Sequence, residues 1–405
     1  MKQFSAFFLS AALSVAAATG AFAEDKTIKI GVLTDNSGLY SDLGGAGSTV
    51  AAQMAIEDSA MAAKGWKIDL ISADHQNKPD IATSIARQWI DVEKVDILMD
   101  VLNSAVGLAV NNVVKQKNSI MINTGAGTSD LTNAQCTPNT IHWVYDTYML
   151  ANNTGQAMVK AGGDTWFFLT ADYNFGAALE RDTTAVVLAN GGKVVGGVKP
   201  PLNTPDFSSF LLQAQASKAK VIGLANAGGD TTNSIKQAAE FGIVAGGQKL
   251  AGLLLFITDV HSLGLKVAQG LNLTETFYWD LNDGTRAFSK RFSERMKTKA
   301  MPSMAQAGVY SGLIHYFKAL EAMGDNPHDG AKVVAKMKEL PTDDALFGKG
   351  SIRADGRKLH TAYLFEVKKP EESKGPWDYY KLIATTPGDQ AFRPLSESTC
   401  PLVKK

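Results

Sequence analysis

Short apolar runs and longer amphipathic stretches alternate along most of the chain. Residues 28–33, 68–72, 95–101 and 120–123 read as buried strands, too short and too uniformly apolar for surface helices. Between them, helical spacing covers 49–63, 80–93 and a stretch capped by Ser104 that runs to about 117. Strand and helix in strict alternation predict a parallel sheet with right-handed crossovers. A second series has the same rhythm. Its helices are expected over 146–162, 176–190, 206–217 and 230–241, and its strands at 166–169, 193–198, 221–224 and 250–256. No residue-level repeat relates the two series. The last third differs. Helices are expected at 286–298, 305–323 and 331–339, then strands at 350–353 and 362–367 around an Asp355-Gly356 turn, and a final strand at 377–380. These pieces are too few for a third core, so they complete the first two units and the chain crosses between them more than once.

A length of 405 residues also favours two domains. Forty Lys and Arg balance forty Asp and Glu, with no basic run or basic–aromatic interleaving, which argues against nucleic acid as a partner. The N-terminus has the form of an export signal: Lys2, an apolar stretch over 4–18, and Ala21-Phe22-Ala23 as an A-x-A cleavage site. The alternative, an uncleaved anchor, would need a longer apolar stretch to span a bilayer. Cleavage after Ala23 leaves Glu24 first and delivers the chain to the periplasm. No Cys follows the site, so no lipid anchor is expected. In that oxidising compartment the isolated pair Cys136 and Cys400 is expected to form a disulfide.

The motifs of common catalysts are missing. There is no G-x-S-x-G elbow and no phosphate-binding G-x-x-x-x-G-K-[ST] loop. Gly125-Ala126-Gly127 lacks the third glycine of a dinucleotide fingerprint. The histidines (75, 142, 261, 315, 328 and 360) form no H-x-x-x-H pair, and two cysteines without histidine companions do not make a zinc site. Asp74, Asp100 and Asp259 lie at strand ends, where capping and turn chemistry is their ordinary work. No enzyme, cofactor or metal is expected.

The stretch over 120–132 is where a ligand is expected. A short strand runs into a loop of glycines and hydroxyls, and a Ser/Thr/Asp cluster then caps a helical turn. Open α/β sheets hold ligands at the carboxyl ends of their strands. Three such loops carry Asp35 to Tyr40, Leu102-Asn103-Ser104, and Thr124 to Thr128. Ser104 begins a helix, where a hydroxyl and free N–H groups favour an anion. Ala126 and Thr128 can add a carbonyl and a hydroxyl. The second unit offers Tyr173 and Phe175 in a strand-to-helix loop, Asp230 and Asp259 at further strand ends, and Tyr145 and Tyr148 near the first crossing. Aromatic faces there would cover an apolar ligand body. The competing structural roles are helix capping for the hydroxyls and inter-domain packing for the rings.

Several of these segments resemble type I periplasmic binding proteins of ABC transporters. They are Ile30-Gly31-Val32-Leu33-Thr34 with Ser37-Gly38, Gly125-Ala126 through Leu131-Thr132, Tyr173-x-Phe175-Gly176, Pro205-Asp206-Phe207-Ser208, and Lys236-Gln237-Ala238 to Gly242. Their order and spacing are similar to the branched-chain amino-acid-binding (leucine/isoleucine/valine-binding) branch. The resemblance implies an α/β fold of two doubly wound parallel-sheet lobes joined by a multi-strand hinge. Lobe one would be 24–146 plus 279–360, and lobe two 147–278 plus 361–405. It further implies a monomeric receptor, a small carboxylate or amino acid in the cleft, and delivery to a membrane permease. Ser104, Ala126 and Thr128 match the family's carboxylate clamp. The amine clamp matches poorly: Ala227 stands where amino-acid binders carry tyrosine, and their first-loop aromatic falls near Leu43. A hydrophobic or branched-chain amino acid is the leading expectation, with Asp230 or Asp259 facing its amine. If neither points inward, the ligand is an amine-free, aromatic carboxylate. An exported enzyme and an amide or urea sensor are the alternatives from other classes.

Overall fold

The computed structural model describes residues 26–324 and 328–404; the signal segment 1–23 lies outside them. The first strands are β1 (Thr27–Thr34), β2 (Lys67–Asp74), β3 (Ile97–Asp100), β4 (Ile120–Asn123) and β5 (Thr140–His142). They form a parallel sheet in the order β2-β1-β3-β4-β5. The order reverses beside β1, so the loops leaving β1 and β3 part to form a crevice. The second sheet takes β6 (Thr165–Thr170), β7 (Lys193–Val198), β8 (Val221–Ala225), β9 (Lys249–Gly252) and β10 (Asn272–Glu275). After them come β11 (Thr342–Asp344), β12 (Gly348–Ile352) and β13 (Lys358–Leu359), a small antiparallel sheet. The chain then returns to the second sheet with β14 (Ala362–Val367) and β15 (Tyr380–Thr386), giving the order β15-β14-β10-β9-β8-β6-β7. Strands β1, β3 and β4 are apolar and buried over most of their length, as parallel strands covered on both faces must be.

The chain passes between the sheets after β5, after β10 and after β13. The helices Asp283–Arg295 and Met304–Met323 return to the first sheet after the second passage. Met304–Met323 packs along Gly45–Asp58, with Gln306 donating to the Gly44 carbonyl at 2.9 Å and Ser303 to the Leu43 carbonyl at 2.6 Å. A Cβ on Gly47 would fall 2.2 Å from the Gln306 amide nitrogen, so a side chain there would push Gln306 off the Gly44 carbonyl.

Three local expectations are corrected. The strand over 250–256 stops at Gly252, where the Leu253 amide turns back to the Ala251 carbonyl. The rest of that apolar run instead leads into a helix, Ile257–Leu263, whose start is braced by the Asp259 carboxylate accepting from the Phe256 N–H at 2.9 Å. The last strand is Tyr380–Thr386, not 377–380, because Trp377 adopts φ +70° and turns the chain. Ser104 is the first helical residue rather than the cap; Asn103 caps Ser104–Lys117 by accepting from the Ala105 and Val106 N–H groups.

The tail beyond β15 leaves the second sheet and returns to the first. Thr399 N–H donates to Asn133 Oδ1 at 2.6 Å, and Cys136 and Cys400 are disulfide-bonded with Cα atoms 5.6 Å apart. The bond closes 264 residues of chain, so it should restrict the unfolded ensemble strongly. The double variant Cys136→Ser/Cys400→Ser is expected to lose about 2–5 kcal/mol of stability. Denaturant melts of oxidised, reduced and variant protein check this, and coincident melts would contradict it.

Candidate ligand-binding site

The site is built from the ends of β1, β3 and β4. At the end of β3 the backbone reverses through left-handed angles at Asp100 (φ +74°), Val101 (φ +54°) and Asn103 (φ +77°). A β-branched residue at positive φ is costly and persists only where its surroundings hold it. Asp100 does the holding. Its carbonyl accepts from the Thr124 and Gly125 N–H groups at 3.1 and 3.3 Å, and its carboxyl oxygen accepts from the Thr124 hydroxyl at 2.8 Å. Full burial pushes the Asp100 carboxyl pKa upward. At the end of β1, Asp35 accepts from the Gly38 and Tyr40 N–H groups and from the Asn77 amide, which folds the loop and turns Tyr40 inward.

These loops meet the second lobe across a small cavity. Leu43, Leu102 and Leu254 give it apolar walls; Tyr40, Tyr145, Tyr173 and Phe175 give aromatic ones. Asn103, Ser104, Gly125 and Gly127 supply the polar end, and Ala227 adds a small wall on the second lobe. Gly127 sits so close to the rings of Tyr145 and Phe175 that a Cβ would lie 2.8 and 2.9 Å from them. Among the described residues, no protein group accepts from the N–H of Ser104 or of Gly127. The first begins a 14-residue helix, so positive potential converges there. The lobes are in contact: the Tyr40 and Tyr173 hydroxyls lie 2.5 Å apart, and the Gly229 N–H reaches the Leu39 carbonyl at 3.4 Å.

Six of the residues expected at the site line this cavity: Tyr40, Asn103, Ser104, Tyr145, Tyr173 and Phe175. Five stand elsewhere. Ala126 has both backbone groups bonded to the Asn123 side chain, at 3.0 and 2.8 Å. Thr128 gives its N–H to Ser104 Oγ at 3.1 Å, while its own hydroxyl caps the next turn. Tyr148 lies under the Arg393 guanidinium, 4.5 Å from its ring centre. Asp230 accepts from the Asn203 and Thr204 N–H groups, both at 3.0 Å, and burial lifts its pKa to about 6. Asp259 is the helix brace already described, lifted by burial to about 7. Among the described residues, no acidic side chain lines the cavity. Leu254 lay hidden in the sequence, inside what read as a longer strand.

Two lobes closing on a small cavity with free amides at one end define a solute-binding α/β protein. The comparisons agree. Residues 27–376 match the model of the periplasmic binding protein family, and the chain belongs to that family. A periplasmic binding protein from Burkholderia mallei is 52% identical with a TM-score of 0.90, covering 94% of this chain and 100% of that one. A branched chain amino acid ABC transporter periplasmic ligand-binding protein from Burkholderia xenovorans is 42% identical with a TM-score of 0.82, covering 93% and 100%. A Leu/Ile/Val-binding protein homolog from Brucella abortus is 24% identical, covering 88% of this chain and 91% of its own. A solute-binding protein from R. palustris in complex with 4-hydroxybenzoate shares the fold at a TM-score of 0.81 and 22% identity, covering 89% and 97%.

The buried Asp259 supplies a test by pH. Its folded pKa lies above the unfolded value, so the folded state holds more protons between about pH 4 and pH 7. Stability from this group is therefore greatest in acid and declines as pH rises through that window. Asp259→Asn keeps an acceptor for Phe256 N–H and removes the charge. The variant should melt higher than wild type at pH 8 and alike at pH 4; parallel pH profiles would contradict this.

Proposed function

We propose that this protein is the periplasmic receptor of an ABC importer and that its solute is a small carboxylate without an amine, carrying an aromatic or similarly flat apolar body. One observation carries the choice: the cavity pairs unengaged N–H groups with aromatic walls, and among the described residues no carboxylate lines it, Asp230 acting on Tyr40 and Tyr173 only through its field. Burying an ammonium without a counter-charge costs several kcal/mol, and Asp230 and Asp259 are turned to backbone N–H groups instead. The R. palustris protein seen with 4-hydroxybenzoate supports the same ligand class on the same fold. A branched-chain amino acid is the second reading, supported by the name of the Burkholderia xenovorans protein.

In this reading the export signal is cleaved after Ala23 and the receptor works as a periplasmic monomer. Lobe one is 24–146 plus 279–360 and lobe two 147–278 plus 361–405, with the tail strapped back by the disulfide. Among the described residues no helix is long and apolar enough to cross a membrane, so the importer's permease would supply the passage. The receptor binds and releases its solute unchanged. Hinge closure is driven by ligand contacts to both lobes.

A thermal-shift screen separates the two readings. Benzoate-type acids should raise the melting temperature and leucine, isoleucine and valine should not. At one hundred times its dissociation constant a ligand adds about 2.7 kcal/mol. The reverse pattern would overturn the amine-free assignment. Ser104→Ala should weaken the best ligand roughly tenfold and cost about 1 kcal/mol of stability, since it also strips Thr128 N–H of its partner. Calorimetric titration that finds unchanged affinity would remove Ser104 from the site.

A further inference from the structure

We infer that the Tyr40–Tyr173 hydroxyl pair reads a hydrogen-bonding substituent on the solute, at the end of the ring opposite its carboxylate. This rests on the aryl-carboxylate reading above and adds where the second polar group of the solute must be.

The geometry places two polar ends in the cavity. Strands β1, β3 and β4 are consecutive neighbours in the first sheet. Gly127 follows β4, Ser104 follows β3, and Tyr40 follows β1. Neighbouring strands are about 4.8 Å apart, so roughly 10 Å separates the strand that leads to Gly127 from the one that leads to Tyr40. The Ser104 and Gly127 amides thus follow the two strands on one side of β1, and the tyrosine pair joins the loop after β1 itself to the second lobe. Leu43 and Leu102 line the apolar interval between them.

The hydrogen-bond count then asks for a third hydroxyl. Each phenol has one O–H donor and accepts as well. Burial pushes both tyrosine pKa values up, so both are protonated at neutral pH and the pair owns two donors. Their mutual bond of 2.5 Å uses one. Among the described residues the pair has no other side-chain or backbone partner, and Tyr40 is only 3% exposed. One O–H and the remaining lone pairs are left at the cavity wall. A solute hydroxyl satisfies them; a methyl group of the same size leaves them unpaired, which is the arrangement that discriminates most strongly against an analogue lacking the polar group. Because Tyr40 belongs to one lobe and Tyr173 to the other, a solute that completes this cluster also favours the closed form.

The test is calorimetric titration of the mature protein with 4-hydroxybenzoate, 4-methylbenzoate and benzoate, for wild type and the double variant Tyr40→Phe/Tyr173→Phe. Wild type should favour the hydroxy acid over the methyl acid by about tenfold or more. The double variant should shrink that ratio to within about threefold while still binding benzoate, since either phenol alone keeps one free O–H and only loss of both removes the surplus donor. A folding defect would weaken all three acids together and leave the ratio intact, so the ratio is the readout. Equal wild-type affinities, or an undiminished ratio in the double variant, overturns the tyrosine assignment and leaves the aryl-carboxylate reading standing. Binding of none of the three acids overturns both.

Discussion

The binding site depends on a backbone reversal at the end of β3 that the chain would not adopt alone. Asp100, Val101 and Asn103 all lie at positive φ. Strain of this kind costs of order 1–3 kcal/mol per residue and must be over-determined by neighbours. Asp100 ties the reversal to the β4 loop through its own carbonyl and carboxyl, and Leu102 packs against Gly125 so closely that a Cβ there would lie 2.3 Å from its methyl group. The reversal puts Asn103 in position to cap the following helix and frees the Ser104 N–H toward the cavity. Site and fold are thus one construction: the unengaged amides exist because the strand end is held in a conformation that exposes them.

The second lobe is coupled to that construction at more points than the cleft itself. Asp182, in the helix Asn174–Ala189, accepts from Ser129 and Thr147, both at 2.7 Å. Ser129 immediately follows the clamp loop, and Thr147 N–H donates to the Gly127 carbonyl. Arg181 pairs with Asp130 at 3.1 Å. The loop that presents Gly127 is therefore held from the lobe-two side by a buried carboxylate. A buried polar network of this type favours one arrangement of its members because any half-satisfied alternative leaves a desolvated group unpaired.

Much of this was legible from sequence because it is periodic. β4 and β7 begin and end where apolar patterning places them, and the helix from Ser104 runs to Lys117 as expected. What was hidden depends on tertiary partners. The run from Leu250 is apolar throughout, and apolarity alone cannot separate a strand from a buried loop leading to a helix. That run conceals Leu254, one wall of the cavity. The family positions Ala126 and Thr128 were readable, but not that Asn123 and Ser104 take their hydrogen bonds. Asp230 and Asp259 illustrate the same limit. A carboxylate at a strand end can face a ligand or a backbone N–H, and only the folded loop decides.

The passages between the lobes show why closure can be a single motion. Arg357, fully buried just before β13, donates to the Tyr145 carbonyl at 3.2 Å and faces Asp146 at 3.5 Å. The first and third passages are thereby joined. Its guanidinium lies 4.5 Å from the centre of the Phe392 ring, and the next residue of the tail, Arg393, reaches Asp182 at 3.2 Å. The tail then continues to the disulfide on the first lobe. Removing Asp146 would leave Arg357 charged and buried without its carboxylate, a loss far larger than that of an exposed pair. Tyr145 stands at the junction: its carbonyl accepts from Arg357, its hydroxyl holds the Gly125 carbonyl at 2.5 Å, and its ring lines the cavity. Tyr145 therefore joins the Gly125 loop, the passages between the lobes and the cavity wall in one residue.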